Sequence, residues 1–314
     1  MTDDPFSAGF VRFSRSMMLP WRFLPRQPNE ASFDALRRGN VALDVLFYDV
    51  GVVGEDEAGD LATAGAGEGA ILIVPPSGVG RLSICRALAE YFDQGGGEIT
   101  TLTVAGVGSS ALGTAAFARN VADAVGKPVA AVVSGHGLGD LVGEATAGFP
   151  WFAGLGAFHD LWSRFDHSFD WLRTATSDPL AGGTDPMVAE RDADVVLALL
   201  KDVRARFELI VAHSKGNMVV GDALHALQRE DRARSDQIGE RVHIVSISSR
   251  RRMPRSCKQV TEIVGRWDLI GDFATRRDAP ADVVVPDAWH HTNTDLLGHL
   301  PVTRVLKEVL GAGK

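Results

Sequence analysis

The sequence predicts an α/β fold in which a mostly parallel central sheet carries helices on both faces. From residue 70 onward, short apolar runs typical of buried strands alternate with stretches of helical periodicity. Strands that alternate with helices indicate a parallel sheet, because each connection must cross back over one face of the sheet. The chain has 314 residues, 45% hydrophobic and 23% charged, which is ordinary for a soluble globular protein. We therefore predict a single domain over residues 1–314.

Composition and charge exclude several classes of function. The net charge is -8, which argues against nucleic acid as a partner because phosphate binding needs a basic face. Two cysteines do not make a disulfide framework, and no zinc-binding spacing is present. The acidic start of the chain lacks the apolar core of a signal peptide, and no apolar run is long enough to span a bilayer. We expect a cytoplasmic protein, and the composition leaves open whether it is a homo-oligomer.

Residues 1–69 are predicted to form an N-terminal extension that includes the first strand. Residues 7–27 mix aromatic residues with arginines and carry no acid, which indicates a helix packed on the domain or an arm that contacts a partner or a membrane surface. We favour the packed helix. The apolar residues of 41–50 predict a strand, and the glycine, alanine and acidic residues of 51–69 predict a surface loop.

The regular alternation of strands and helices covers most of the remaining chain. Strands are predicted where apolar runs are short, at 70–74, 100–104, 129–133, 209–212, 242–248, 261–265 and 281–286. Helices are predicted where apolar residues recur at helical spacing, at 81–92, 111–125, 187–207, 218–227 and 301–310. Pro301 suits the first turn of the last helix, and the charged residues 229–240 predict a loop.

An insertion at residues 147–185 interrupts this alternation. Phenylalanine and tryptophan are concentrated between residues 149 and 171. A segment of this kind between two sheet strands is typical of a cap or lid that lines an apolar pocket. Packing of the same aromatic side chains on the domain is the alternative, and both can hold.

The stretch 207–224 carries the first candidate for chemistry. A strand pattern runs into the turn Ala212-His213-Ser214-Lys215-Gly216, and a helix pattern follows. This is the layout of a nucleophile elbow, in which small residues let strand and helix approach closely and the serine Oγ is exposed. Ala212 replaces the usual first glycine and is small enough. An ordinary strand, turn and helix with a capping serine is the alternative.

Two further residues complete a candidate catalytic set. A nucleophilic serine needs a base that takes its proton and a carboxylate that orients the base. Asp268 and then His290 follow two later strands, so serine, acid and histidine come in the order of a strand-end triad. We therefore predict that Ser214, Asp268 and His290 form a hydrogen-bonded triad.

Other residues near these positions are alternatives. His291 is adjacent to His290 and can serve as the base in its place, and His299 lies at the start of the closing helix. Asp272 is the reserve acid. Metal binding by the three histidines is disfavoured, because adjacent histidines rarely bind one metal together and no acidic or thiol partner is evident. We predict no metal and no cofactor.

Two sets of N–H groups are candidates for an oxyanion hole. The N–H of Lys215 directly follows the serine and is the first donor. The loop 75–80 follows an early strand, and the N–H groups of Ser77 and Gly78 are candidates for the second donor. The same loop, followed by a helix pattern, is similar to a dinucleotide-binding turn, but it lacks the earlier glycine of such turns.

Residues 70–314 resemble an α/β-hydrolase of the serine esterase and lipase kind. The resemblance depends on the elbow at 212–216, on Asp268 and on the run 288–294. It implies hydrolysis of a carboxylic ester through an acyl-enzyme on the elbow serine, without a cofactor. The aromatic insertion adds the expectation of an apolar acyl group in the substrate. Lys215 departs from the family, which commonly has an apolar or small residue there.

Two other functions stay open. The pair Ser214-Lys215 is also similar to the serine and lysine of short-chain dehydrogenases, which use NAD(P). The tyrosine expected four residues before that lysine is Val211, which disfavours this reading. The second alternative is a non-catalytic binding protein with a hydrolase-like fold.

Overall fold

The computed structural model describes residues 44–63, 66, 69–106, 109–134, 191–268 and 280–311. The predictions for residues 7–27, for the 147–185 insertion and for Asp272 lie outside these ranges. Within these ranges, no helix combines the length and the apolar character needed to cross a bilayer.

Eight strands form one sheet in the described part of the chain. In chain order they are β1 (Ile71–Val74), β2 (Ser83–Cys85), β3 (Thr101–Val104), β4 (Val129–Val132), β5 (Leu209–His213), β6 (His243–Ile247), β7 (Gln259–Gly265) and β8 (Val283–Val285). Their spatial order is β2-β1-β4-β3-β5-β6-β7-β8. Neighbours from β4 to β8 run parallel, whereas β1 pairs antiparallel with both β2 and β4. The mostly parallel sheet predicted from the sequence is therefore confirmed.

Helices cover both faces of this sheet. They are α1 (Glu55–Thr63), α2 (Leu88–Asp93), α3 (Ala111–Val125), α4 (Arg191–Lys201), α5 (Gly216–Glu230), α6 (Arg232–Arg241) and α7 (Val302–Gly311). One buried apolar cluster joins α1, α3 and α7 to the sheet, and a second joins α4, α5 and α6. Alternate residues of β4 belong to the two clusters, because successive side chains of a strand point to opposite faces.

The central strands have no exposed residue. Every residue of β3, β4 and β5 is buried. Covering both faces requires apolar or small side chains on both, which explains why β4 and residues 209–212 of β5 are continuous apolar runs. Because β5 is the fifth of the eight strands in spatial order, its carboxyl end lies near the middle of one edge of the sheet.

The N-terminal segment differs from the prediction. Residues 44–47 are helical and a 3-10 helix follows at Val50–Val52, so the strand predicted at 41–50 is wrong over its described part. The loop predicted at 51–69 is also wrong, because it contains α1. The first turn of α1 carries three acidic residues, which stabilise a helix N-terminus, but the helix is too short to give a clear periodic signal.

Two further stretches are corrected. Residues 81–92, predicted as one helix, contain β2 followed by all but the last residue of the short helix α2. The loop predicted at 229–240 is largely α6, whose first turn is capped by Asp231 through the Arg234 N–H. It buries few apolar residues, so its sequence lacks the pattern that predicts a helix. The remaining predicted strands and helices are present, and α3 has the predicted bounds. The helix predicted at 187–207 is present as α4 but ends at Lys201, so its last six predicted residues are not helical.

Candidate active site

Three strand ends bring the candidate residues to one edge of the sheet. Ser214 directly follows β5, Asp268 lies just beyond β7, and His290 lies just beyond β8. These strands are parallel, so their carboxyl ends meet at the same edge. Crevices at this edge are the usual ligand sites of open α/β sheets.

The turn after β5 holds Ser214 in a left-handed backbone conformation, with a φ of 50°. Residues other than glycine rarely adopt this region, and they persist there only when the surroundings hold them. Here the Ser214 N–H donates to Ile247 O at 2.9 Å. The side-chain amide of Asn217 donates to Ser214 O at 3.1 Å and to Ile247 O at 3.0 Å. These bonds tie the strained turn to the end of β6.

Gly216 lets α5 begin directly against the end of β3. A Cβ on Gly216 would lie 2.3 Å from Val104 O and 2.6 Å from Ala105 O. Those oxygens belong to the backbone and cannot move aside cheaply, so no larger residue fits. The strand, tight turn and helix predicted at 212–216 are therefore confirmed as local structure.

Ser214 is less exposed than the elbow motif predicts. The residue is 8% exposed. Gly106, in the turn after β3, packs so closely that a Cβ on it would lie 3.0 Å from Ser214 Cβ. The imidazole of His290 covers the hydroxyl from another side. The expected exposed serine is therefore corrected to a largely buried one.

Hydrogen bonds connect the serine, the histidine and the aspartate in succession. His290 Nε2 lies 2.8 Å from Ser214 Oγ, and His290 Nδ1 lies 2.9 Å and 3.0 Å from the two carboxylate oxygens of Asp268. A carboxylate only accepts, so Nδ1 carries the proton, and in a neutral ring Nε2 then accepts the serine O–H. All three residues are buried. This arrangement can remove the proton of the serine hydroxyl as the oxygen attacks.

The two other predicted histidines lie outside this succession. His291 Nε2 donates to Leu297 O at 3.2 Å, and burial lowers the pKa of His291 to about 4. His299 Nδ1 lies 3.0 Å from Leu296 O, within the same turn. Of the two adjacent histidines, His290 alone bonds to the serine and the aspartate among the described contacts.

The oxyanion donors predicted from the sequence separate into two places. Lys215 lies at the start of α5, next to Ser214. Ser77 follows β1, which is antiparallel to β4, so its loop leaves the opposite edge of the sheet. Its N–H donates to Asp123 Oδ1 at 2.6 Å, near the C-terminus of α3. The location predicted for the second donor, at Ser77 and Gly78, is therefore wrong.

The dinucleotide-binding alternative loses its structural basis at the same loop. The turn 77–80 is followed by β2 and not by a helix. A pyrophosphate at such a turn is held by the N–H groups of a helix N-terminus. Within the described residues, no helix begins at the end of this turn, so these N–H groups are missing there.

Residues 44–50 hold the histidine loop, which the sequence did not reveal. Phe47 O accepts from the N–H of Thr292 at 2.7 Å and from its hydroxyl at 2.9 Å, and the Phe47 ring contacts the His290 ring edge-on. Asn293 Nδ2 donates to Val45 O at 2.5 Å. The available signal was the polar run after Trp289, in which the side chains of Thr292 and Asn293 donate to backbone carbonyls of residues 44–50. These contacts fix the loop that carries the candidate base.

Among the described residues, no group of histidine, cysteine, aspartate and glutamate side chains is arranged to hold a metal ion. Comparisons of the chain with protein-family models, with curated proteins and with solved structures found no significant match.

Proposed function

We propose that the protein is a serine hydrolase that cleaves a carboxylic ester through an acyl-enzyme on Ser214. The observation that carries this proposal is the bonded succession from Ser214 Oγ through both ring nitrogens of His290 to Asp268. The strained backbone of Ser214 adds support, because strain of this kind clusters at functional sites.

In the proposed reaction, Ser214 Oγ attacks the ester carbonyl carbon while His290 Nε2 takes the hydroxyl proton. The Asp268 carboxylate keeps the proton on Nδ1 and stabilises the imidazolium. His290 then gives its proton to the departing alkoxide, and the alcohol leaves an acyl group on the serine. A water molecule, deprotonated by the same imidazole, attacks the acyl-enzyme, and the imidazolium returns that proton to Ser214 Oγ as the acyl–oxygen bond breaks and the acid leaves.

The negative charge on the carbonyl oxygen needs N–H donors in fixed positions. Lys215 N–H is the first candidate, as the donor next to the nucleophile. Gly106, in the turn that follows β3, packs against Ser214, but its N–H donates to Tyr48 Oη at 2.6 Å, so no second donor is assigned among the described residues.

The preference for an apolar acyl group stays a prediction from the sequence. It depends on the aromatic residues of the 147–185 segment, which lies outside the described residues. A series of p-nitrophenyl esters of rising acyl length measures this preference directly.

Covalent labelling by a fluorophosphonate tests the proposal. The wild-type protein is expected to form a stoichiometric adduct that maps to Ser214 by peptide mass spectrometry, and Ser214→Ala is expected to form none. Labelling also tests access, because Ser214 is 8% exposed. A folded wild-type protein that resists the probe contradicts the proposal and favours a non-catalytic binding protein.

The control is a second serine in a similar backbone conformation. Ser248 follows β6, is fully buried and has a φ of 55°. It has no described bond to His290. Ser248→Ala is expected to keep full labelling. An adduct that persists in Ser214→Ala would show that another residue is the nucleophile.

A further inference from the structure

A buried chain of hydrogen bonds runs behind the candidate triad. The Gly106 N–H donates to Tyr48 Oη at 2.6 Å, Tyr48 Oη lies 3.0 Å from His213 Nδ1, and His213 Nε2 lies 3.0 Å from His290 O. The chain therefore joins the turn after β3 to the backbone of the candidate base. We refer to Tyr48 and His213 together as the brace.

The proton positions in the brace follow from the groups at its ends. A backbone carbonyl only accepts, so His213 Nε2 carries a proton and donates to His290 O. The buried ring is neutral, because burial lowers the pKa of His213 to about 3, so Nδ1 is an acceptor. Tyr48 then donates its hydroxyl proton to His213 Nδ1, and its oxygen accepts from Gly106. Each link has one direction.

Packing leaves the two rings of the brace little freedom. The Tyr48 ring meets the His213 ring at 5.5 Å and the Phe117 ring at 6.0 Å between centroids. The rings of His213 and His290 lie 5.2 Å apart. A Cβ on Gly106 would lie 2.9 Å from Tyr48 Oη, so a larger residue there would displace the hydroxyl.

We propose that Tyr48 and His213 are positioning residues for acyl transfer, which hold the His290 backbone and the turn after β3 at the distances that the reaction requires. The proposal depends on the proposed serine hydrolase function. Neither residue reaches the reacting atoms, so their effect passes through His290 and Gly106. A shift of about 1 Å in a catalytic group can cost on the order of 10²-fold in rate.

The test removes one hydrogen-bonding group and leaves the ring packing in place. In Tyr48→Phe, Gly106 loses its acceptor, and His213 loses the donor that selects its tautomer. We expect kcat for p-nitrophenyl butyrate to fall about 10- to 100-fold with KM changed less than about threefold. Turnover is divided by the fraction of sites that a fluorophosphonate titrates, so loss of folded protein does not mimic the effect.

The other tyrosine of the chain supplies a matched control. Tyr91 is also fully buried, and its hydroxyl has no hydrogen-bond partner among the described residues. Tyr91→Phe therefore removes the same atom from a buried ring without breaking a described bond. We expect its kcat per titrated site to equal that of the wild type.

Two variants at position 213 separate positioning from packing. A glutamine amide can donate to His290 O as the imidazole Nε2 does, whereas leucine fills the space without a donor. We expect His213→Gln to retain at least several-fold more kcat than His213→Leu. Equal kcat in wild type, Tyr48→Phe and His213→Leu, with the wild type still labelled, overturns the brace and leaves the proposed function standing. Absence of labelling in the wild type overturns the function itself.

Discussion

Three buried imidazoles of the site have different tasks because their hydrogen-bond partners differ. His290 bonds to a hydroxyl on one side and a carboxylate on the other. His213 bonds to a tyrosine hydroxyl and a backbone carbonyl, and His291 bonds to the carbonyl of Leu297. Only the first arrangement lets an imidazole accept a proton and stay oriented by a carboxylate.

The adjacent histidines give a sharp prediction at this scale. His290→Gln is expected to lower kcat by about 10³-fold or more, because the serine loses its base. His291→Gln is expected to stay within about threefold of the wild type, since its ring faces Leu297 rather than Ser214. Ester turnover per folded protein, with folding checked by circular dichroism, measures both. A reversed ranking assigns the base to His291.

At the scale of elements, the site depends on how closely α5 and the end of β3 approach. Gly216 begins α5 where the carbonyls of Val104 and Ala105 leave no room for a Cβ. The same turn after β3 continues to Gly106, which packs on the serine. A short helical segment at 44–47 and the residues after it then hold the histidine loop from the other side.

Two glycine-to-alanine substitutions distinguish the steric effect of a Cβ between α5 and β3 from the general effect of alanine on helix stability. Gly216→Ala is expected to destabilise the protein by about 1–3 kcal/mol, because the new Cβ pushes α5 away from β3. Gly59→Ala, in the interior of α1, meets nothing within 4 Å and is expected to stabilise by about 0.5–1 kcal/mol. Urea denaturation measures both. Equal effects of the two changes contradict the steric role of Gly216.

At the scale of the whole molecule, burial of neutral histidines couples stability to pH. Burial lowers the pKa of His213 from 6.5 to about 3 and that of His291 from 6.5 to about 4. In the unfolded chain these two histidines therefore bind protons near pH 6.5, whereas in the folded protein they stay neutral at that pH. The contribution of these two histidines to the free energy of unfolding is fully present above pH 6.5 and is lost as the pH falls toward 3.

The variant His213→Gln isolates one of these contributions. Between pH 7.5 and pH 5, the wild type is expected to lose about 2 kcal/mol more stability than this variant. Burial raises the pKa of Asp44 to about 7, so Asp44 makes the pH dependence of stability run in the opposite direction. This effect is the same in both proteins and cancels when their losses are compared. Denaturation at the two pH values measures the difference. Equal losses of stability in both proteins indicate that folding does not lower the pKa of His213.

The sequence by itself determined the alternation of strands and helices and the order of serine, aspartate and histidine at strand ends. These features are local, because periodicity and turn residues act over a few positions. The mostly parallel sheet followed from the alternation, and the sheet then brought Ser214, Asp268 and His290 together. The elbow glycine, Gly216, was also readable from its place in the motif.

The tertiary structure alone decided which histidine meets the serine, which turn lies beside it and what braces it. The direction of β1 moves Ser77 to the far edge of the sheet, and no local pattern encodes that direction. The helical residues 44–47 looked like a strand because burial against α3 and the histidine loop demands the same apolar side chains as a strand does. Tyr48 and His213 are far apart in the chain, so only folding reveals that their side chains bond.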